Sequence, residues 1–118
     1  MITNDDLTTR AIEWALRGLD RRADVIADNI ANAEVPNFRA SRVEFESQLR
    51  AALEAGRITR MPEPTLQATT DPADLKGNNV RIEDELVGLI ETNLRRQAMV
   101  EAFNYKVGLY RLAIGGRR

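Results

Sequence analysis

The residues with most scope for chemistry are acidic clusters: Asp5-Asp6, Glu44 with Glu46, and Glu83-Asp84-Glu85. Carboxylates that converge can share a proton or hold a divalent cation. The spacing here works against convergence. Neighbours along a helix point to different faces, and Glu44 with Glu46 lacks the glycine turn and ligand spacing of a calcium loop. The serines are Ser41 and Ser47, and without histidine no Ser-His-Asp relay can be written. Cysteine is absent as well, so the thiol nucleophile and the usual zinc ligands are missing. Neither a GxxxxGK[ST] loop nor a GxGxxG turn occurs. The sequence reads as a non-enzyme with no catalytic residue, cofactor site or metal site.

Amide chemistry is a better prospect. The stretch Asn29-Ile30-Ala31-Asn32-Ala33-Glu34-Val35-Pro36-Asn37-Phe38 ends a helically patterned run abruptly. Carboxamides both donate and accept, and at a chain corner they can replace lost backbone partners. Val35 precedes a proline, which disfavours helix at that point. A helix ending alone requires neither two asparagines in this frame nor the following Phe38-Arg39. The expectation is that Asn29 and Asn32 bond neighbouring backbone through their amides, and that Phe38 anchors the chain after the turn.

Two helical seams must position this corner. In 1–34, Thr9, Ile12, Leu16, Leu19, Ala23, Ile26, Ile30 and Ala33 follow alternating three-and-four spacing, while Arg10, Glu13, Arg17, Asp20, Arg21, Arg22, Asp24 and Asp28 fill the other faces. In 80–118 the seam is Ile82, Leu86, Leu89, Asn93, Arg96, Val100, Phe103, Val107, Tyr110 and Ile114. Val87, Ile90, Leu94 and Ala98 widen its first half. Asn93 and Arg96 either fix register or lie solvated as the seam drifts. Candidate caps are Asn4, Asp5 or Asp6 for the first helix and Asn79 for the second; Gly115-Gly116 and Arg117-Arg118 suit the second helix's end.

The middle segment, 35–79, holds all four prolines, Pro36, Pro62, Pro64 and Pro72. Ser41-Arg42-Val43-Glu44 reads as a capping box opening a helix over about 42–55, with Gly56 as its stop. A Pro-rich loop follows over 57–78, with room for one short strand pair. The fold class is therefore mainly α: two long amphipathic terminal helices packed as a coiled-coil-like pair, with a short helix and an irregular loop between them.

Such helices, about 40 and 50 Å long, outgrow a compact globule of this chain length, which is about 35 Å across. Apolar surface should remain for other subunits, and the isolated chain should order fully on assembly. A net charge of −1 gives no field for nucleic acid. No apolar run reaches membrane-spanning length. The polar, acidic opening MITNDDLTTR is unlike a cleavable signal peptide.

The residues Asn29-Ile30-Ala31-Asn32, Pro36 and Phe38-Arg39 resemble the N-terminal motif of the bacterial flagellar rod and hook axial proteins. Gly77-Asn78-Asn79-Val80 and the helix after it look like the C-terminal part of a short proximal-rod member. The likeness covers about 10–55 and 77–114. One departure is Asn37, where the family commonly has glycine; asparagine tolerates the left-handed backbone such a turn demands.

The resemblance implies a structural rod subunit, exported unfolded by the flagellar type III apparatus without cleavage. It would assemble helically in the periplasm and transmit torque. The implied partners are copies of itself and other rod and basal-body proteins, with no nucleic acid and no membrane insertion. Implied interface residues are the motif (Asn29, Ile30, Asn32, Pro36, Phe38, Arg39) and the seams (Ile12, Leu16, Leu19, Ile26 and Leu86 through Ile114). The competing reading is a cytoplasmic helical export chaperone or regulator forming a small oligomer; within the family, the second proximal rod subunit also fits.

Overall fold

A computed structural model describes residues 3–58, 60 and 63–115, with side chains from residue 7 onward. Helix α1 runs Thr3–Ala31, strand β1 Ser41–Glu44, helix α2 Glu46–Ala55, strand β2 Thr65–Ala68 and helix α3 Ile82–Gly115. The two long helices pack antiparallel, since Asn29 meets Glu85 at one end and Asp20 meets Arg96 further along. The molecule is a rod of 68 × 26 × 14 Å with a radius of gyration of 18.3 Å. A compact chain of this length would have about 13–14 Å. The expected architecture of long terminal helices around a short one is thus observed.

Helix α1 buries two faces. Ile12, Leu19 and Ile26 form the face expected from the heptad spacing. A second stripe, Trp14, Gly18, Arg22, Val25 and Asn29, carries the middle segment. Along it the Phe45 ring lies directly on Gly18: a Cβ there would fall 2.4 Å from the ring. The Arg22 guanidinium covers Phe45 at 4.9 Å, a cation–π contact. Arg22 also donates to both Glu46 carboxylate oxygens at 2.7 Å and to the Val43 carbonyl at 2.8 Å. Arg95 of α3 approaches the same carboxylate at 3.6 Å. Arg22 lies on one of the faces flanking the seam, and its stem and fork are packed between α1, β1 and α2, because a planar donor fork matches a carboxylate and a carbonyl together.

The capping-box expectation fails at Ser41–Glu44. These residues form β1, antiparallel to β2, with Ser41 opposite Ala68 and Glu44 opposite Thr65. Helix α2 therefore opens four residues later than expected, at Glu46. The reason is competition: Asn29 takes both backbone groups of Ser41, and Val43 turns into the core. Glu44 still caps, but it accepts from Ser47 N–H at 3.2 Å. The stop at Gly56 holds: its φ is 78°, and the Gly56 and Arg57 N–H groups return to the carbonyls of Leu53 and Ala52 in a Schellman closure. Within 57–78 the strand partner is β1, not a second strand of the loop.

The cap residues proposed for α1 are not its start, for the helix already runs from Thr3; the side chains of Asn4, Asp5 and Asp6 lie outside the described residues. So do Pro62, Gly116, Arg117 and Arg118.

Candidate functional site

The corner where α1 ends is held by asparagine amides. Asn29, 2% exposed, treats Ser41 as a peptide partner: Nδ2 donates to its carbonyl at 2.9 Å and Oδ1 accepts its N–H at 3.2 Å. The second Nδ2 hydrogen reaches Glu85 Oε1 of α3 at 3.1 Å. Asn78 donates to the carbonyls of Asn32 and Val35 at 2.9 and 2.8 Å and accepts from Val80 N–H at 2.8 Å. Asn79, also buried, accepts from Ala40 N–H at 2.6 Å and donates to Thr69 Oγ1 and the Asp71 carbonyl. Turning the chain strands backbone groups away from water, and each carboxamide restores two or three of those bonds.

Two left-handed residues let the strands of this corner close. Asn37 has φ 64° and donates its N–H to the Lys76 carbonyl at 2.8 Å; Gly77 has φ 80° and sits against it. A Cβ on Gly77 would meet Asn37 Oδ1 at 2.4 Å. The left-handed conformation expected at Asn37 is present. The stretches 29–41 and 69–85, remote in sequence, are thereby joined into one hydrogen-bonded unit.

Asn29 makes the amide-to-backbone bonds expected of it. Asn32 turns its amide back onto the Asp28 carbonyl of its own helix at 2.7 Å, and its carbonyl is what Asn78 captures. Asn79 is not the N-cap of α3, which begins three residues later at Ile82; burial and three bonds to Ala40, Thr69 and Asp71 claim its amide. Phe38 is half-buried and borders a recess with Val25, Asn29, Ser41 and Leu66. Ile30 is half-buried, while Pro36 and Arg39 are exposed.

Along the helices, Ile12, Leu19 and Ile26 are buried within the chain and Leu16 is half-buried. On α3, Leu89, Val100 and Val107 are half-buried, whereas Leu86, Asn93, Arg96, Phe103, Tyr110 and Ile114 are exposed. The buried polar residue of α3 is Thr92, one position before Asn93, and its hydroxyl donates to the Gly88 carbonyl at 2.7 Å. Folding a hydroxyl back by one turn lets threonine sit buried, an option asparagine lacks at that register. Arg96 crosses to Asp20 of α1 at 2.6 Å. The sequence reading missed Trp14, Gly18, Thr92 and the corner role of Asn78; the i, i+4 spacing of Trp14, Gly18 and Arg22 was the available signal.

A further feature of α3 is its outer side. Val87, Ile90, Leu94, Tyr105, Leu109 and Leu112 are between 48% and 72% exposed and lie opposite the face that packs on α1. Helix α3 is thus apolar on two sides, and α1 covers one of them.

Burial works to raise the carboxyl of Glu46, but the Arg22 bonds and charge, with backbone N–H groups, outweigh it and hold the group below its ordinary value. The carboxylate is thereby kept ionised at the junction of three helices. No helix among the described residues is long and apolar enough to cross a membrane.

Residues 13–39, spanning α1 and the corner, match the family described as "Flagella basal body rod protein". The chain is 28% identical to the flagellar basal body rod protein FlgB of Bacillus subtilis (strain 168), over 92% of this chain and 94% of that protein. It is 32% identical to FlgB of Borrelia hermsii over 71% of this chain and 80% of that one, and 26% identical to FlgB of Escherichia coli (strain K12) over 91% and 92%. With such likeness running through both long helices and the corner between them, the chain belongs to the flagellar basal body rod protein FlgB family.

Proposed function

We propose that this chain is a structural subunit of the bacterial flagellar basal-body rod, built into it through its long helices, with no catalytic role. The observation that carries this is the two-sided α3: one face packs on α1 and the other stays exposed on an elongated molecule. Neighbouring subunits cover the exposed side, and burying each such leucine or isoleucine stabilises the assembly by about 1.5–3 kcal/mol. The exposed corner residues Pro36 and Arg39, with half-buried Asn32 and Phe38, supply further contacts. Copies of the chain and other rod proteins are the partners.

The subunit leaves the cytoplasm through the flagellar type III export apparatus without cleavage, and the periplasmic rod transmits torque. The cysteine-free composition supports that location, since no stray thiol can cross-link in an oxidising compartment. The test is fractionation of strains with and without the export gate. The chain is expected in basal bodies of the intact strain and in the cytoplasm of the gateless one; an unchanged cytoplasmic distribution would favour the chaperone or regulator reading. Ile26→Asp and Val107→Asp, on the face between the helices, should abolish motility while export persists, and a motile strain would contradict the assignment.

A further inference from the structure

The corner presents a leucine to solvent on a turn held by hydrogen bonds. Leu75 is fully exposed, the extreme among the described large apolar side chains, with Leu112 next at 72%. Its backbone is fixed on both sides. Asp74 Oδ1 accepts from the N–H groups of Lys76 and Asn78 at 2.8 and 3.0 Å. Asp74 N–H donates to the Asn78 carbonyl at 2.8 Å, and the Lys76 carbonyl accepts the Asn37 N–H at 2.8 Å. A leucine on a loose loop would settle on the nearest apolar surface, whereas this one is kept in water against the hydrophobic effect.

A counterpart lies elsewhere on the chain. The recess beside Phe38 has a volume of about 360 Å³, and its apolar lining is Val25, Phe38 and the half-exposed Leu66. Asp24 and Asp28, one turn apart on α1, border it with Arg21, two carboxylates against one guanidinium. An apolar tip followed by a cation thus matches an apolar recess edged by acids. Lys76 pairs with Glu34 of its own chain at 3.8 Å, but both side chains are well exposed, and such a pair holds the ammonium only weakly. Tip and recess are different parts of the molecule, so each contact leaves one tip and one recess unused. Contacts of that kind run head to tail and repeat from copy to copy.

We infer that in the assembled rod the Leu75 side chain of one copy enters the recess beside Phe38 of the next, with Lys76 set against Asp24 and Asp28. The inference rests on the rod reading and names a contact within it.

The chain lacks cysteine, so introduced thiols report without background. Leu66→Cys and Leu75→Cys both replace exposed side chains, and a disulfide forms only where the two Cα atoms come within about 7 Å. In a flagellated strain expressing both single-variant chains, mild oxidation of isolated basal bodies should give a cross-linked dimer of the two. Either variant expressed alone should give none. Lys76→Glu should lose most of that cross-link and shrink the swarm, whereas Glu34→Gln, which removes the partner of Lys76 within the chain, should change neither. Basal bodies that contain both chains without the mixed cross-link overturn the inference and leave the rod reading intact. So does cross-linking of Leu75→Cys to itself, which puts two tips together about a two-fold axis. A wild-type chain absent from basal bodies overturns the rod reading, and the inference with it.

Discussion

Asn29 and Ser41, twelve residues apart, pair as two peptide groups would, with the amide of one side chain serving as the backbone of the other's missing strand partner. Asn29→Asp keeps the shape but turns a donor into an acceptor facing the Ser41 carbonyl and Glu85. A buried group left unpaired beside a like charge costs about 2–3 kcal/mol at neutral pH. The deficit relative to wild type should shrink toward pH 4, where a protonated carboxyl donates again. Ser41→Ala should change little, since both bonds are to backbone. Urea unfolding at the two pH values checks all three.

Gly18→Ala offers a second test, because helix propensity and packing oppose each other. Alanine gains about 1 kcal/mol in a helix interior over glycine. The new methyl, however, meets the body of the Phe45 ring, which Arg22 holds from another side. Overpacking of this kind costs about 1–3 kcal/mol, so a net loss is expected. Adding Phe45→Leu should recover part of it, and non-additivity in a double-mutant cycle is the readout.

At the corner, Asn37→Gly should leave the melting temperature nearly unchanged, as glycine accepts φ 64° freely. Asn37→Val should lower stability by about 1–2 kcal/mol, because a β-branched residue resists the left-handed region. Gly77→Ala should do at least as much harm, combining φ 80° with a clash against Asn37. Thermal unfolding of the three variants orders them.

Glu46 makes folding sensitive to acid. Its carboxyl is held low in the folded chain, so its contribution is present above the unfolded value and is lost as pH falls through the folded one. The side chain is 40% exposed, so solvent screens the effect and it stays small. Glu46→Gln should therefore flatten the acid limb of the stability curve without shifting the neutral plateau greatly. Denaturant midpoints between pH 3 and 7 decide it.

The long helices were legible because three-and-four spacing of Ile12, Leu19 and Ile26 leaves few other solutions. The Gly56 stop and the left-handed Asn37 were legible for a similar reason: local backbone demands name their residues. What stayed hidden depended on tertiary partners. Ser41–Glu44 satisfies a local helix-start pattern, yet Asn29 and β2 compete for the same groups and win. Arg22 looks like a surface charge until Glu46 and the Val43 carbonyl are placed beside it. Asn79 looks like a helix start because Ala40, whose N–H it accepts, is invisible from its own neighbourhood. The Thr92 register shows the same limit, since one residue's rotation separates it from Asn93.

The β1–β2 ribbon has a bearing on how this chain can change length. The chain leaves the ribbon at Glu44 and returns at Thr65 directly opposite, so α2 and the stretch after it are an excursion between two paired residues. Closing a longer excursion costs little, about 0.6 kcal/mol for each doubling. Residues added beyond Ile58, which is buried and whose carbonyl accepts from Arg10 of α1, would hang from that rung without moving the corner or the long helices. The fold thus separates a fixed axle from a side port, where a relative could carry a larger appendage on the same frame.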